Sequence, residues 1–378
     1  MRDLFLLDPG LVFLNHGSFG ASPREVLDAQ RGWQLEMERN PVAFLGRRSA
    51  ALLEQARAAL AREIGARTDE LVFVPNATTG VNVVARSLPL QPGDEVLATD
   101  LEYGACDATW RLVCAQRGAH YRRVPVPLPF ERDRMVERLM AALTPRTRLV
   151  FASHVTSATA LILPVAELCA AARARGVATL VDGAHAPGQL ELDIDAIGAD
   201  YYVGNCHKWL CAPKGSAFLH ARREHQAGLD ATVTSWGYVE GFDADDCLGR
   251  TPFERRMQWQ GTHDPSAWLA VPAAIDFLAR HDWPAVRARC HALAGHALRE
   301  LAGRFGLAPI AQDGDWAQMV AIPVPAGDPS ALQARLYRES GIEVPVTAHG
   351  GRTFVRVSVQ AYNDDADVER LLAAPALR

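Results

Sequence analysis

Two lysines, Lys208 and Lys214, stand within seven residues of each other in "GNCHKWLCAPKGS", and the chain holds no other: of its 39 Lys and Arg, 37 are Arg. The two cations differ in chemistry. A lysine amine can shed its proton, attack a carbonyl and form an imine, whereas a guanidinium stays protonated in a protein. A chain that meets almost every need for positive charge with arginine has reason to keep lysine where a nucleophilic amine is required. Lys208 follows a strand-like run and is flanked by His207 and Trp209, a setting whose partial desolvation favours the neutral amine. Lys214, in the turn "APKGS", reads as structural or as surface charge. Lys208 is therefore the covalent candidate.

The elements that must position such an amine alternate along the chain. "ELVFV" (70–74), "EVLATD" (95–100), "TRLVFASHV" (147–155), "VATLVDG" (177–183), "ADYYVGN" (199–205) and "SAFLHA" (216–221) are short apolar runs of the kind that form buried strands. Between them, 49–66, 81–88, 106–118 and 164–176 carry helical spacing or composition. Strands alternating with helices predict an α/β fold, a mostly parallel sheet covered by helices. After about Thr262 the pattern changes to long helices, two short strands (319–324 and 354–359) and a helix between them, which predicts a smaller α+β domain. The expected division is a bridging segment 1–45, a large domain 46–262 and a small domain 263–378.

In an open parallel sheet, ligands bind beyond the carboxyl ends of the strands. "PNATTG", "DLEYGA", "SHVTSAT", "DGAHAPG" and "GNCHKW" follow the runs and hold the polar residues, which points to one shared site. An imine-forming lysine needs an electron sink. Asp182, ending "VATLVD", suits pairing with a protonated pyridine nitrogen; before Gly183 it equally suits a turn or a cap. "NATTGV" opens a helix, so the backbone N–H groups of Ala77 and Thr78 suit a phosphate; an N-cap by Asn76 or Thr78 fits the same letters. Tyr103 suits stacking over a flat ring, or simple packing.

With those residues in place, the chain resembles the pyridoxal phosphate enzymes of the class V aminotransferase family, with the type I fold and its seven-stranded sheet. More narrowly it resembles the isopenicillin N epimerase-like branch. The likeness runs from "FLNHGSFG" (13–20) to "FVRVSVQAYND" (354–364), and "VDGAHAPG" and "GNCHKWLCAPKGSAFL" are its most specific stretches. It implies that Lys208 holds the cofactor and later shuttles the Cα proton, and that Asp182 pairs with the pyridine nitrogen. It puts His185 near the ring's phenolic oxygen, where many relatives have Gln, and Ser157 where others carry Asn. Tyr103 falls on the ring-stacking position, and Ala77, Thr78, Asn205 and His207 surround the phosphate. Thr262, in "QGTHD", would reach the phosphate of a second subunit, implying a homodimer with shared sites. Arg356, in "FVRVS", matches the arginine that clamps a substrate carboxylate; without the family it reads as a mid-strand ion pair. Asn15 and His16 lie in a loop that in relatives approaches the substrate. Arg47 and Arg48 suit either the pocket or a solvated face.

Composition narrows the function further. A net charge of -5 without a basic block gives no electrostatic case for nucleic acid or an anionic membrane. Seven scattered cysteines (Cys106, Cys114, Cys169, Cys206, Cys211, Cys247 and Cys290) read as reduced thiols of a cytoplasmic protein, and no metal site is expected from their spacing. No run is long enough for a membrane span, and the N-terminus does not read as a signal peptide. Relatives that form a persulfide carry a Cys between "GI" and the "R.S" strand; residues 340–358 here hold none, which argues against that route. An epimerase or racemase acting on an amino acid or peptide-like side chain is the leading expectation. Beside it stand a C–S lyase, a class V aminotransferase and a catalytically inactive cofactor-binding regulator.

Overall fold

The chain is described from a computed structural model, which covers residues 1–239 and 248–378. Cys247, read above as a reduced thiol, lies outside the described residues.

In chain order the strands are β1 (Val12–Phe13), β2 (Leu71–Val74), β3 (Glu95–Thr99), β4 (His120–Val124), β5 (Thr147–Ser153), β6 (Ala178–Asp182), β7 (Tyr201–Asn205), β8 (Ala217–Ala221), β9 (Met319–Val324), β10 (Ile342–Glu343), β11 (Val346–His349) and β12 (Arg352–Ser358). Seven of them form one sheet in the order β2-β8-β7-β6-β5-β3-β4. β8 alone runs antiparallel to its neighbours, so the carboxyl ends of the other six lie on one side. Buried strands covered on both faces need apolar residues at consecutive positions, and β5 shows how they are used. Leu149 and Phe151 join one core cluster while Val150 and Ala152 join the other, as a period of two requires. Six of the seven strands coincide with the apolar runs of the sequence. The seventh, β4, is "HYRRV" at the sheet edge, where solvent on one side removes the need for an apolar run.

The second sheet is antiparallel, β11-β12-β9, and β12 in its centre carries Arg356 opposite Ala321. β11 and β12 are joined by Gly350 and Gly351, with φ of +56° and +73°, the left-handed pair that a two-residue hairpin turn demands. The long helix Trp283–Phe305 covers β9, whereas Ser266–Leu269 and Val271–Arg280 pack on the helix Ser49–Glu63. Trp268, after the change of pattern near Thr262, stacks on Phe73 of β2 at 5.8 Å.

Residues 1–45 contain a helix that the sequence pattern did not announce, Arg24–Arg39, in which only Val26 is buried. The preceding loop passes beneath Lys208. Gly20 has φ +72°, and a Cβ there would lie 2.2 Å from the carbonyl oxygen of His207, so only glycine allows the approach. No helix among the described residues is long and apolar enough to cross a membrane.

Candidate active site

A cleft of about 360 Å³ opens at the carboxyl ends of β2, β3, β5, β6 and β7. Its wall includes Ala77, Thr78, Tyr103, Ser157, Asp182, His185, Asn205, His207 and Lys208, residues up to 131 positions apart that the parallel topology delivers to one side.

Lys208 is half-buried one turn past β7, with its Nζ 3.3 Å from His185 Nε2. Burial lowers its pKa from 10.5 to about 8; Asp182 opposes that shift and Arg356 adds to it. About a tenth to a fifth of the amine is thus neutral near physiological pH, against well under a hundredth for an ordinary lysine, and the neutral form is the nucleophile. Lys214 does separate work: its Nζ donates to the carbonyl of Gly20 at 2.9 Å, pinning the loop that presses on Lys208.

Asp182 is buried at the end of β6, and burial pushes its pKa up. Oδ1 accepts the Ala184 N–H at 2.9 Å, and among the described residues Oδ2 has only the weak thiol of Cys106, at 3.5 Å. A carboxylate kept dry with so little compensation favours a cationic or N–H partner. Gly183 holds this turn against the strand beside it: a Cβ there would meet the Tyr202 Oη at 2.1 Å, so Gly183→Ala forces repacking costing about 1–3 kcal/mol.

The N-terminus of the helix Ala77–Ser87 faces the same cleft. Asn76 caps it by accepting the Thr79 N–H at 2.8 Å. The Ala77 N–H, expected to face a phosphate, instead donates to Asn205 Oδ1 at 2.8 Å. That bond orients the Asn205 amide, whose Nδ2 meets no acceptor among the described residues. Among the described residues the Thr78 N–H keeps no partner within the chain. His207 donates from Nδ1 to the carbonyl of Ser216 at 2.9 Å, and burial lowers its pKa to about 4. Thr78 and Asn205 therefore turn donors toward the cleft, with Ala77 acting one step behind, while His207, its one proton engaged by Ser216, gains a second N–H only if an arriving anion protonates Nε2.

Arg356 is buried at 4% exposure. Its Nη1 donates to the Ser157 carbonyl at 2.6 Å and to Ser157 Oγ at 3.3 Å, and Nη2 donates to Ser18 Oγ at 3.0 Å. Its Nε has no partner, and among the described residues no carboxylate pairs with it. Burial lowers its pKa to about 10, which leaves it charged. A buried cation whose fixed partners are all neutral is arranged for an anion that arrives from outside.

The loop residues divide. Asn15 donates to Glu343 Oε1 at 3.3 Å and accepts from Ser18, so it reaches Arg356 only through Ser18. His16 does not line the cleft: it accepts from the Tyr362 hydroxyl and donates to the Lys208 carbonyl, both at 2.9 Å, and burial takes its pKa to about 3. Ser18 and Phe19, from the same "NHGSFG", do line it and were not singled out by the sequence. Thr262 is exposed and outside its own chain's cleft. Arg48 pairs with Glu36 at 2.5 Å on the surface, and Arg47 is exposed.

The family profile for aminotransferase class-V matches residues 12–371. The chain belongs to the class V aminotransferase family. This class V chain is 41% identical to an isopenicillin N epimerase from Streptomyces clavuligerus, over 99% of its own length and 96% of the relative's. It is 32% identical to a putative L-cysteine desulfhydrase of Oryza sativa subsp. japonica, over 96% and 82% of the two chains. A C-DES variant solved with glycine covalently linked to its pyridoxal phosphate shares the fold, with a TM-score of 0.84 and 25% identity over 100% of this chain and 99% of that one. The chain is accordingly a pyridoxal phosphate enzyme of the type I fold. The donor set fits that cofactor: an anion-facing helix terminus, a dry carboxylate for a ring nitrogen and a neutral amine for an aldehyde all face one cleft.

Proposed function

We propose that this class V enzyme is an epimerase or racemase acting at the α-carbon of an amino acid, or of an amino-acid side chain in a peptide-like substrate. Arg356 is the observation that carries the reading, a buried guanidinium beside the cleft with no described carboxylate to pair with. A substrate α-carboxylate supplies the missing charge. The 41% identity to isopenicillin N epimerase over nearly the full chain supports the same reaction class.

Pyridoxal phosphate, when bound, withdraws electrons from the substrate and acidifies the hydrogen on Cα. The chain's own residues do the rest. Lys208 carries the cofactor covalently at rest, and its neutral amine takes and returns the Cα proton on one face. With the cofactor bound, Asp182 would keep a proton on the ring nitrogen, and His185 and Ser157 would serve the phenolic oxygen. Tyr103, on the cleft wall, would stack over the ring. Thr78, Asn205 and His207 hold the phosphate, and Ala77 orients Asn205. Ser18, Ser157 and, through Ser18, Asn15 aim Arg356 at the carboxylate. Epimerisation needs a proton donor on the second face as well. Both ring nitrogens of His16 are engaged, so Tyr103 is the remaining candidate of the two.

Thr262 serves the cleft of a second copy in a homodimer with shared sites; its exposure outside its own cleft supports this. Cytoplasmic residence belongs to the same reading, supported by the free thiols of the six described cysteines. So does the division into 1–45, 46–262 and 263–378. A C–S lyase is the second reading, favoured by the fact that β-elimination needs a base on one face only, which Lys208 supplies. The segment between β10 and β12 closes in a short hairpin without cysteine, and the six described cysteines are buried. Persulfide transfer from that segment therefore has no carrier.

Incubation of the enzyme with amino acids and cysteine conjugates in deuterium oxide separates these readings. Deuterium at Cα without pyruvate or ammonia is the expected result. Pyruvate release instead makes it a lyase, and no absorbance change with any substrate leaves the inactive regulator.

A further inference from the structure

His185 stands between two nitrogens, and only one of them leaves its role open. The indole Nε1 of Trp209 lies 3.2 Å from His185 Nδ1, and Lys208 Nζ lies 3.3 Å from His185 Nε2. An indole N–H donates and never accepts. His185 Nδ1 must therefore be the acceptor; a proton there would set two buried donors against each other. That conflict would be a buried one, since Trp209 is fully buried and His185 is 3% exposed. A neutral imidazole has one proton to place, and here Nε2 is the place left for it.

We infer that Trp209 is a positioning residue: its N–H locks His185 in the Nε2–H form, which presents a hydrogen-bond donor to the Lys208 amine. A protonated lysine has no lone pair to meet that donor, so the lock favours the free base of Lys208. It also defines what His185 offers to an oxygen brought beside that amine, a donor rather than an acceptor. The groups facing this pair are Asp182, Cys106 and Arg356 around Lys208, and Lys208, Arg356 and His16 around His185. None of them takes a proton from Trp209, so its indole sets the polarity of the relay. The consequence for Lys208 rests on the proposed role of that amine; the tautomer of His185 does not.

The test uses the full chain labelled with nitrogen-15 histidine. Long-range proton–nitrogen correlation reads the tautomer, with the His185 signals identified by their loss in His185→Gln. The wild-type protein should show a protonated Nε2 and a bare Nδ1 throughout the neutral range, a result that needs no Trp209 variant to fold. Trp209→Phe keeps most of the ring packing and removes the donor. It should admit the Nδ1–H form and raise the pH midpoint for attachment of pyridoxal phosphate to Lys208, read by mass after borohydride trapping. A rise of about one unit slows attachment about tenfold at neutral pH. In the His185→Gln background the same Trp209→Phe change should leave the midpoint in place. A wild-type Nδ1–H form, an unaltered tautomer in Trp209→Phe, or an equal shift in both backgrounds would each overturn the inference. Failure of Lys208 to attach the cofactor in any protein would sink the reading of that amine and leave the tautomer result standing.

Discussion

Two arginines are buried among the described residues, and they live in opposite electrostatic circumstances. Arg57, at 2% exposure on the helix Ser49–Glu63, meets Glu254 at 3.0 Å. Arg356, at 4%, meets two serines and a backbone carbonyl. Each leaves its Nε without a partner, so the unfilled donor does not separate them. The anion does. Arg57 has its carboxylate built in and closes a structural contact, whereas Arg356 sits beside a cleft and awaits one. A buried charge marks function when its counter-charge is missing, because desolvation must be offset by something.

The largest effect expected in the cleft comes from the amine that shares Arg356's field. Lys208→Ala should abolish covalent cofactor attachment and activity, checked by absorbance and by mass after reduction; an attached cofactor in that variant would move the assignment to Lys214. Next come the two arginines themselves. Arg57→Ala strands Glu254 and should cost about 3–5 kcal/mol of stability, measured by chemical denaturation. Arg356→Ala should leave stability within about 1 kcal/mol while raising the substrate KM by about 30-fold or more, as loss of one partner of a buried charge pair does. Equal destabilisation by both changes would erase the contrast.

A smaller effect follows from pH. The Lys208 pKa is lowered to about 8, so the unprotonated, reactive fraction grows as pH rises through that value. The rate of cofactor attachment should climb through about the same pH. Arg356→Leu removes one of the groups depressing that pKa and should move the curve upward; a curve that stays put would uncouple the two residues. The smallest effect is at Thr262. Thr262→Ala removes one hydrogen bond worth about 1 kcal/mol and should weaken pyridoxal phosphate binding about fivefold in a fluorescence titration. Unchanged affinity would take Thr262 out of any shared cleft.

Much of this was legible before any coordinates. Apolar runs located six strands of the main sheet, and the rule that ligands gather at strand ends collected Thr78, Tyr103, Asp182, Asn205 and Lys208 in one place. β4 escaped because an edge strand of His, Tyr, Arg and Val needs no apolar run. The helix Arg24–Arg39 escaped because a helix burying only Val26 leaves no apolar stripe to detect. Ser18 had no signal at all: its importance is a bond to Arg356, 338 residues away.

The chemistry available to this chain was determined by its letters: one desolvated amine, one strand-end acid and one mid-strand guanidinium, each tied to a residue type that no neighbour can change. Which way each hydrogen bond points was decided only by the tertiary structure. The Ala77 N–H turned to Asn205, His16 turned its ring to Tyr362 and the Lys208 carbonyl, and Trp209 turned its indole to His185. A donor chooses the nearest acceptor at the right angle, and for Ala77, His16 and the Gly20 carbonyl that nearest partner lies more than a hundred residues away, where no local pattern reaches.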